Sequence, residues 1–500
     1  MTRIAVILLA AATARAESKP TTGAQAQAQA APKASPAARP APARPAAVAS
    51  GMDLGLDLLQ QGEPEEAAAA LLGALQGLSA TDSRQERARF HLGRALRELG
   101  LFVLADELLA SVVSSRIVPE LVPLALALLL EDLEAGRADA GFIEAMLVEL
   151  DVGTLAGEQA EAVTYHQGMA DLRQGRLRWA EASFRTIREA RFARRADLAL
   201  GAYHLSAGEV ETARQAFARV ADATDAPADA RSLAVLSLAR LAAEPGLAAG
   251  ERTALEAARV LYDRVQRPHS VSAEVLLERA WLEYQLGDAR RALGYLLALD
   301  APGHRDRLLP DKYVLRALVY SQACHYAAAR RAAQKLAADF ADVTEALRRR
   351  SAPSDDPALG RVLAHEPEVE PLQALGERMQ REAAAAAKLE DDALAAWAKK
   401  RYQRPLADGA RRLSLAREQA LPALGRQLMD AMADLKVVEF ELALKLHRRV
   451  RGDTVARSER LGAVPEIPIG GNRAFFPFDG EYWADEIADL VVYLEDLCVE

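Results

Sequence analysis

Two cysteines, four tryptophans, eleven tyrosines and eleven phenylalanines are all that 500 residues hold of those types. So few cysteines exclude a disulfide-stapled framework, and Cys324 and Cys498 have no C-x-x-C spacing. They are read as structural thiols, with one long-range disulfide as the alternative. Positive charge is also short. Sixty-two Lys and Arg against 71 Asp and Glu leave a net charge of −9, so no basic footprint points to nucleic acid. Beyond the N-terminus no stretch reads as long and apolar enough to span a bilayer, so no direct membrane span is expected. Catalytic signatures are missing as well. The eight histidines include no H-x-x-x-H pair, and no G-x-S-x-G elbow, phosphate-cradling loop or dinucleotide fingerprint occurs. The expectation is a protein without catalytic residues, metal or cofactor. What the chain does have is alanine and leucine, which supply most of its 51% hydrophobic content and point to helix.

Residues 1–16, MTRIAVILLAAATARA, carry a positive Arg3, an apolar run from Ile4 to Ala12 and an A-x-A site at Ala14-Arg15-Ala16. This is the layout of a secretory signal peptide; a short N-terminal membrane anchor is the alternative. No cysteine follows the apolar run, so a lipoprotein is not expected, and the chain is placed in the periplasm. Residues 17–50 are rich in Ala, Pro and Gln and poor in large apolar side chains. They cannot bury enough surface to offset their ordering entropy and read as a semi-stiff disordered linker.

The body repeats itself. GEPEEAAAALLGAL, GLFVLADELLASV, GRLRWAEASFRTI, GEVETARQAFARV and GDARRALGYLLAL each place a turn residue, a small residue five later, and apolar residues four and seven beyond that. The small positions are Ala67, Ala105, Gly141, Ala180, Ala213, Ala258, Ala292 and Ala329; Gly136 opens the weaker third copy, the sixth lacks its glycine, and Cys324 takes the turn slot of the last. Leu-Gly pairs recur upstream, with Gly55, Gly93 and Gly201 seven residues before the turn glycine. A small residue lets two antiparallel helices cross closely, and a glycine turn joins them. The pattern over Gly51 to Glu345 resembles the tetratricopeptide repeat (TPR). That resemblance implies an all-α superhelix of hairpins whose first helices line a concave, protein-binding face. On its offsets, the groove residues are Arg94, Arg97, Tyr165, Met169, Arg173, Trp281 and Tyr284, although a one-residue shift makes Trp281 and Tyr284 core.

Residues 346–371 read as a polar connection, and 372–455 as long amphipathic helices. Pro405 and Asp408-Gly409 are expected to break the first of these, and Pro422 to kink the second or restart it. Leu421, Leu424, Leu428, Met432, Leu435, Val438, Leu442 and Leu446 form a stripe at helical spacing, with charged residues opposite. It suits a short coiled coil or a cap on the repeats. The aromatic-rich tail, 456–500, crowds Phe475, Phe476, Phe478, Tyr482, Trp483 and Tyr493 together. Ile487, Leu490, Val491 and Leu494 continue Trp483 as the apolar face of a terminal helix, for docking either in a partner's groove or on the chain itself. The run F-P-F-D-G-E-Y-W-x-D-E at 476–486, behind an exported repeat array, is similar to the tail of the TPR subunits of bacterial gliding-motility machinery.

These features lead to one expectation: an exported periplasmic scaffold that binds other cell-envelope proteins, within a gliding-motility complex on the second resemblance. A chaperone-like module for secreted or outer-membrane proteins, and a glycan-cleaving enzyme of helical superhelix type, are the alternatives.

Overall fold

The computed structural model describes residues 45–79, 82–452, 480, 482 and 487–498. The signal peptide, most of the linker and the Phe476, Phe478 and Trp483 positions lie outside the described residues. The fold is all-α, as expected. Twenty α-helices succeed one another in packed pairs, with no strand among the described residues.

The chain divides into two compact units. Among the described residues, the first comprises 45–199 together with 371–413, and the second comprises 200–370 and 414–498. The packed helix pairs expected over 51–345 occur in both units. The first unit holds α1 (Pro45–Gln61), α2 (Pro64–Gly77), α3 (Arg84–Glu98), α4 (Phe102–Ser115), α5 (Leu121–Glu134), α6 (Ala140–Val148), α7 (Gly157–Arg173) and α8 (Leu177–Phe184). α9 (Ala190–Ser206) carries the chain into the second unit. That unit continues with α10 (Val210–Asp222), α11 (Ala228–Ala249), α12 (Arg252–Tyr262), α13 (Ala273–Leu286), α14 (Ala289–Ala298), α15 (Pro310–Gln322) and α16 (Tyr326–Asp339). α17 (Ala341–Arg349) and α18 (Pro357–Leu363) follow, then α19 (Glu370–Ala386) and α20 (Asp392–Gly452).

The repeat offsets are the packing code. Of the eight small positions, Ala67, Ala105, Ala180, Ala213, Ala258, Ala292 and Ala329 are all 0% exposed; only Gly141, in the weak third copy, stays at the surface. The upstream glycines are sockets. A Cβ on Gly55 would lie 2.5 Å from Leu71, one on Gly93 3.1 Å from Leu109, one on Gly168 2.4 Å from Phe184 and one on Gly201 2.6 Å from Phe217. In all four cases the large side chain follows its glycine by sixteen residues, so it sits on bare backbone across the hairpin. The turn residue needs the left-handed backbone: Gly62, Gly100, Gly136, Gly175, Gly208 and Gly287 all have positive φ, and Cys324, at φ 60°, fills the same role. In the sixth copy the missing turn glycine is Gly250, at φ 72°, because α11 runs on through Pro245.

α11 is also the one described helix long and apolar enough to cross a membrane by length and composition, which corrects the expectation that none exists. Ala230, Ala234, Ala239 and Leu241 of α11 are buried within the repeat, as in a core helix.

Three further expectations are corrected. The connection 346–371 contains α18, whose Leu359, Val362 and Leu363 are buried; Arg361 ties it to Asp306 at 3.0 Å and Asp342 at 2.8 Å. The helix expected over 372–401 breaks at 387–391. There the N–H groups of Glu390 and Asp391 donate to the Glu65 carboxylate of α2, and Asp391 accepts from the N–H of Leu394 at 2.7 Å. Beyond it α20 runs unbroken through Pro405, Gly409 and Pro422. Tertiary packing overrides the local breakers: Ala398 and Tyr402 are buried just before Pro405, and a Cβ on Gly409 would lie 2.6 Å from Met379 of α19. The apolar stripe of α20 holds as far as Leu442, whereas Leu446 is 46% exposed. Leu424, Leu428, Leu435 and Leu442 are buried, and the first three join Tyr313, Leu336, Phe340 and Val343 in one cluster, as a cap on the last hairpin.

Candidate functional site

In the first unit the candidate groove residues divide into exposed and engaged. Arg94 is exposed on α3. Arg97 is committed: its Nε and Nη2 donate to the two oxygens of Asp132 at 2.7 and 2.9 Å, and Glu131 lies 3.2 Å away. Arg173 pairs with Glu144 at 2.8 Å. Tyr165 is half-buried against the rings of Phe184 and Phe192, at 6.1 and 5.6 Å, with Met169 half-buried one turn on.

Arg97 leads to a feature that sequence reasoning missed. Asp106, Asp132 and Glu382 are all buried, and Arg137 also donates to Asp132 at 2.8 Å. Glu382 accepts from the N–H of Val103 at 3.0 Å and from the Tyr402 hydroxyl at 2.8 Å. Burial first, then the neighbouring Asp132 carboxylate, push the Asp106 carboxyl up to about 8. It is therefore a neutral acid at pH 7. Asp106 lines a cleft of about 1000 Å³ with Phe142, Met379 and Trp397 at its wall and Lys400, Arg404 and Arg411 at its rim. The separation of α4, α5 and α19 in sequence hid this cluster.

In the second unit Trp281 and Tyr284 meet edge to face, with ring centroids 5.9 Å apart, both half-buried on α13. Trp281 does more than pack. It lines a cavity of about 100 Å³ with Ala243, Leu247, Leu277, Leu309 and Pro310, and its buried Nε1–H has no acceptor among the described residues. The cavity wall is fixed by ion pairing. Glu278 accepts from Arg240 at 2.9 Å and from the Tyr262 hydroxyl at 2.9 Å. Burial and then Glu278 hold that hydroxyl well above its usual range, so it stays protonated and donates. An apolar side chain entering beside a carbonyl oxygen is the ligand this cavity suits.

The far side of α20 carries a second surface. Met429, Val437, Phe440 and Leu444 are 58, 59, 65 and 41% exposed, at steps that place them on one helical face. They correct the expectation that this side is charged. Beside them lies a groove of about 790 Å³ between α20 and α16–α17, lined by Leu336, Leu347, Met429 and Met432. The sequence held the signal, but the stronger Leu stripe masked it.

Among the described residues of the tail, Ile487–Asp489 make one 3-10 turn and 490–498 form no helix, which corrects the amphipathic-helix expectation over these residues. Ile487, Leu490, Val492 and Leu494 pack on the α13–α14 cluster, while Val491 is 61% exposed and points away. Tyr482 is half-buried, and burial, then Asp300, raise its hydroxyl above the ordinary range. Cys324 and Cys498 are joined as a disulfide, which also corrects the expectation of structural thiols. Among the described residues no group of histidine, cysteine and carboxylate side chains converges as a metal site. Set against known proteins, the chain matches no family model and no curated relative.

Proposed function

We propose that this chain is an exported, non-enzymatic scaffold of TPR type that assembles protein partners in the bacterial cell envelope. The observation that carries the reading is the exposed apolar face of α20, Met429, Val437, Phe440 and Leu444, beside its groove. Burying one such side chain on a partner gains about 1.5–3 kcal/mol, and contiguous exposed apolar surface marks interaction sites. The Trp281 cavity is a second anchor point of hot-spot type. Export is supported by residues 1–16, the TPR assignment by the sixteen-residue glycine-to-large spacing, and a gliding-motility role by the 476–486 motif.

The test is in-cell crosslinking and mass spectrometry of the tagged full chain, with fractionation. The wild type is compared with a Val437→Asp, Phe440→Ser pair and with a Trp281→Ala, Arg94→Glu pair. A fixed set of envelope proteins is expected, reduced by at least one pair while circular dichroism is unchanged. If both pairs keep every partner, the proposed faces are not the binding surfaces and the reading fails. Capture of many unrelated unfolded clients would instead favour the chaperone alternative.

A further inference from the structure

The extended tail lies on α14 as a bound peptide would. Its side chains alternate: Leu490, Val492 and Leu494 are half-buried against the hairpin, whereas Val491 and Tyr493 are exposed. The Val492 N–H donates to the carbonyl of Arg290 at 3.2 Å and the Leu497 N–H to that of Ala323 at 3.1 Å. His325 Nε2 lies 2.6 Å from the Glu495 carbonyl oxygen, and the Arg290 guanidinium stacks 5.0 Å from the Tyr493 ring centroid. Two residues beneath the tail, one inside α14 and one in the α15–α16 turn, are unusual choices that the tail explains. Gly294 sits in the middle of α14, where glycine is a poor helix former, and a Cβ there would fall 1.7 Å from the Leu490 carbonyl oxygen. Cys324 takes a left-handed turn position that glycine fills in seven other hairpins, and bonds to Cys498, an exposed residue near the end of the chain.

We propose that the α14 face is a groove for an extended aliphatic segment, filled in cis by residues 487–498, and that the Cys324–Cys498 disulfide is its redox lock. This inference stands independently of the scaffold reading. Opening requires a dithiol reductant. One of its thiolates attacks the exposed Cys498 sulfur, the S–S bond breaks and Cys324 leaves as a thiolate. The second reductant thiol then displaces Cys498 and the reductant ends as a disulfide, so two electrons and two protons pass to the protein. Without the bond the tail is held by the few hydrogen bonds above and by half-buried side chains. Its effective concentration at the groove falls, and the same segment from a second copy competes for the site.

The probe is a fluorescein-labelled peptide of residues 487–498 with serine in place of the cysteine, titrated by anisotropy into the full chain. Binding to the reduced chain and to Cys498→Ser is expected to be about tenfold or more tighter than to the oxidised chain. Equal binding to oxidised and reduced chains, including no binding to either, overturns the proposal. A second variant checks the groove itself. Gly294→Ala favours the helix, so the fold survives, yet its methyl group displaces Leu490. Thiol labelling under non-reducing conditions is expected to find both cysteines free in a larger fraction of molecules than in wild type. Closure as complete as in wild type would refute the close seating of the tail on α14.

Discussion

Asp106→Asn is the substitution whose effect the first unit defines most closely. The Asp106 carboxyl is 2% exposed and titrates near 8, against an ordinary value of 3.8, because it is desolvated and faces Asp132, with Glu382 adding to the effect and Arg97 opposing it. Between those two values the unfolded chain is ionised at this residue while the folded chain keeps the proton. The folded state therefore binds more protons, and its stability falls as pH rises, by up to about 1.4 kcal/mol per pH unit. The loss ends above the folded value, where both states are ionised. Asparagine is nearly isosteric with the neutral acid, but does not titrate. Subtracting wild type from Asp106→Asn cancels every titrating group that does not interact with residue 106, leaving the cluster it forms with Asp132 and Glu382. The difference should grow by about 2.7 kcal/mol between pH 5 and pH 7 and level off above pH 8. Urea unfolding followed by tryptophan fluorescence reads it, with Trp397 on the same cleft as reporter, and the midpoint separation should widen by roughly 1 M. A difference that stays constant from pH 5 to pH 8 would show that Asp106 is charged in the folded protein, and its description as a neutral buried acid would be wrong.

Gly201→Ala should lower stability by about 1–2 kcal/mol, since crowding Phe217 outweighs the helix-propensity gain. Gly73→Ala, whose Cβ meets nothing within 4 Å, should raise stability by about 0.5–1 kcal/mol; calorimetry distinguishes the two signs. Arg97→Ala leaves buried Asp132 with Arg137 as its remaining cation and should cost about 3 kcal/mol, recovered in part by adding Asp132→Asn in a double-mutant cycle. On α20, Leu428→Ser should cost about 2–4 kcal/mol because the leucine is buried in the cap, whereas Phe440→Ser should cost less than about 0.5 kcal/mol. Equal losses at both positions, measured by urea unfolding, would contradict the two-faced description of that helix.

The hairpins were legible because their determinants are local. Gly55 and Leu71, or Gly201 and Phe217, are sixteen residues apart and joined by one turn, so composition along the chain records the contact. The breaks were misread for the converse reason. Pro405 and Gly409 look like a helix end, but Tyr402 and Met379 pack around them, and that packing comes from another helix. The tail was ambiguous in principle. Ile487, Leu490, Val491 and Leu494 fit a helical stripe, while Leu490, Val492 and Leu494 fit alternation equally well, and the β-branched pair Val491-Val492 beside Tyr493 favours the extended form. Gly294 and Cys324 carried the missing information, as two residues out of keeping with their own elements, and neither could be interpreted until the tail was placed on them.

The cap and the exposed face of α20 bear on each other. A helix with one apolar stripe needs one partner, and Leu424, Leu428 and Leu435 find theirs in the last hairpin. The second stripe adds nothing to that packing, and in water each exposed large side chain is a standing liability for association. Charged residues alternate with it along the helix, among them Asp434, Lys436, Glu439, Glu441 and Lys445, which is the composition of an interface rim and not of a core. Fixing the inner stripe on a hairpin removes most of the conformational freedom that a free helix would lose on binding, so a partner meeting the outer stripe faces a preorganised surface. The same logic separates α20 from the tail. The tail segment is pinned by one disulfide and few hydrogen bonds, and its role rests on being releasable; the helix is held by Leu424, Leu428 and Leu435 in the core of the cap, and its role rests on staying put.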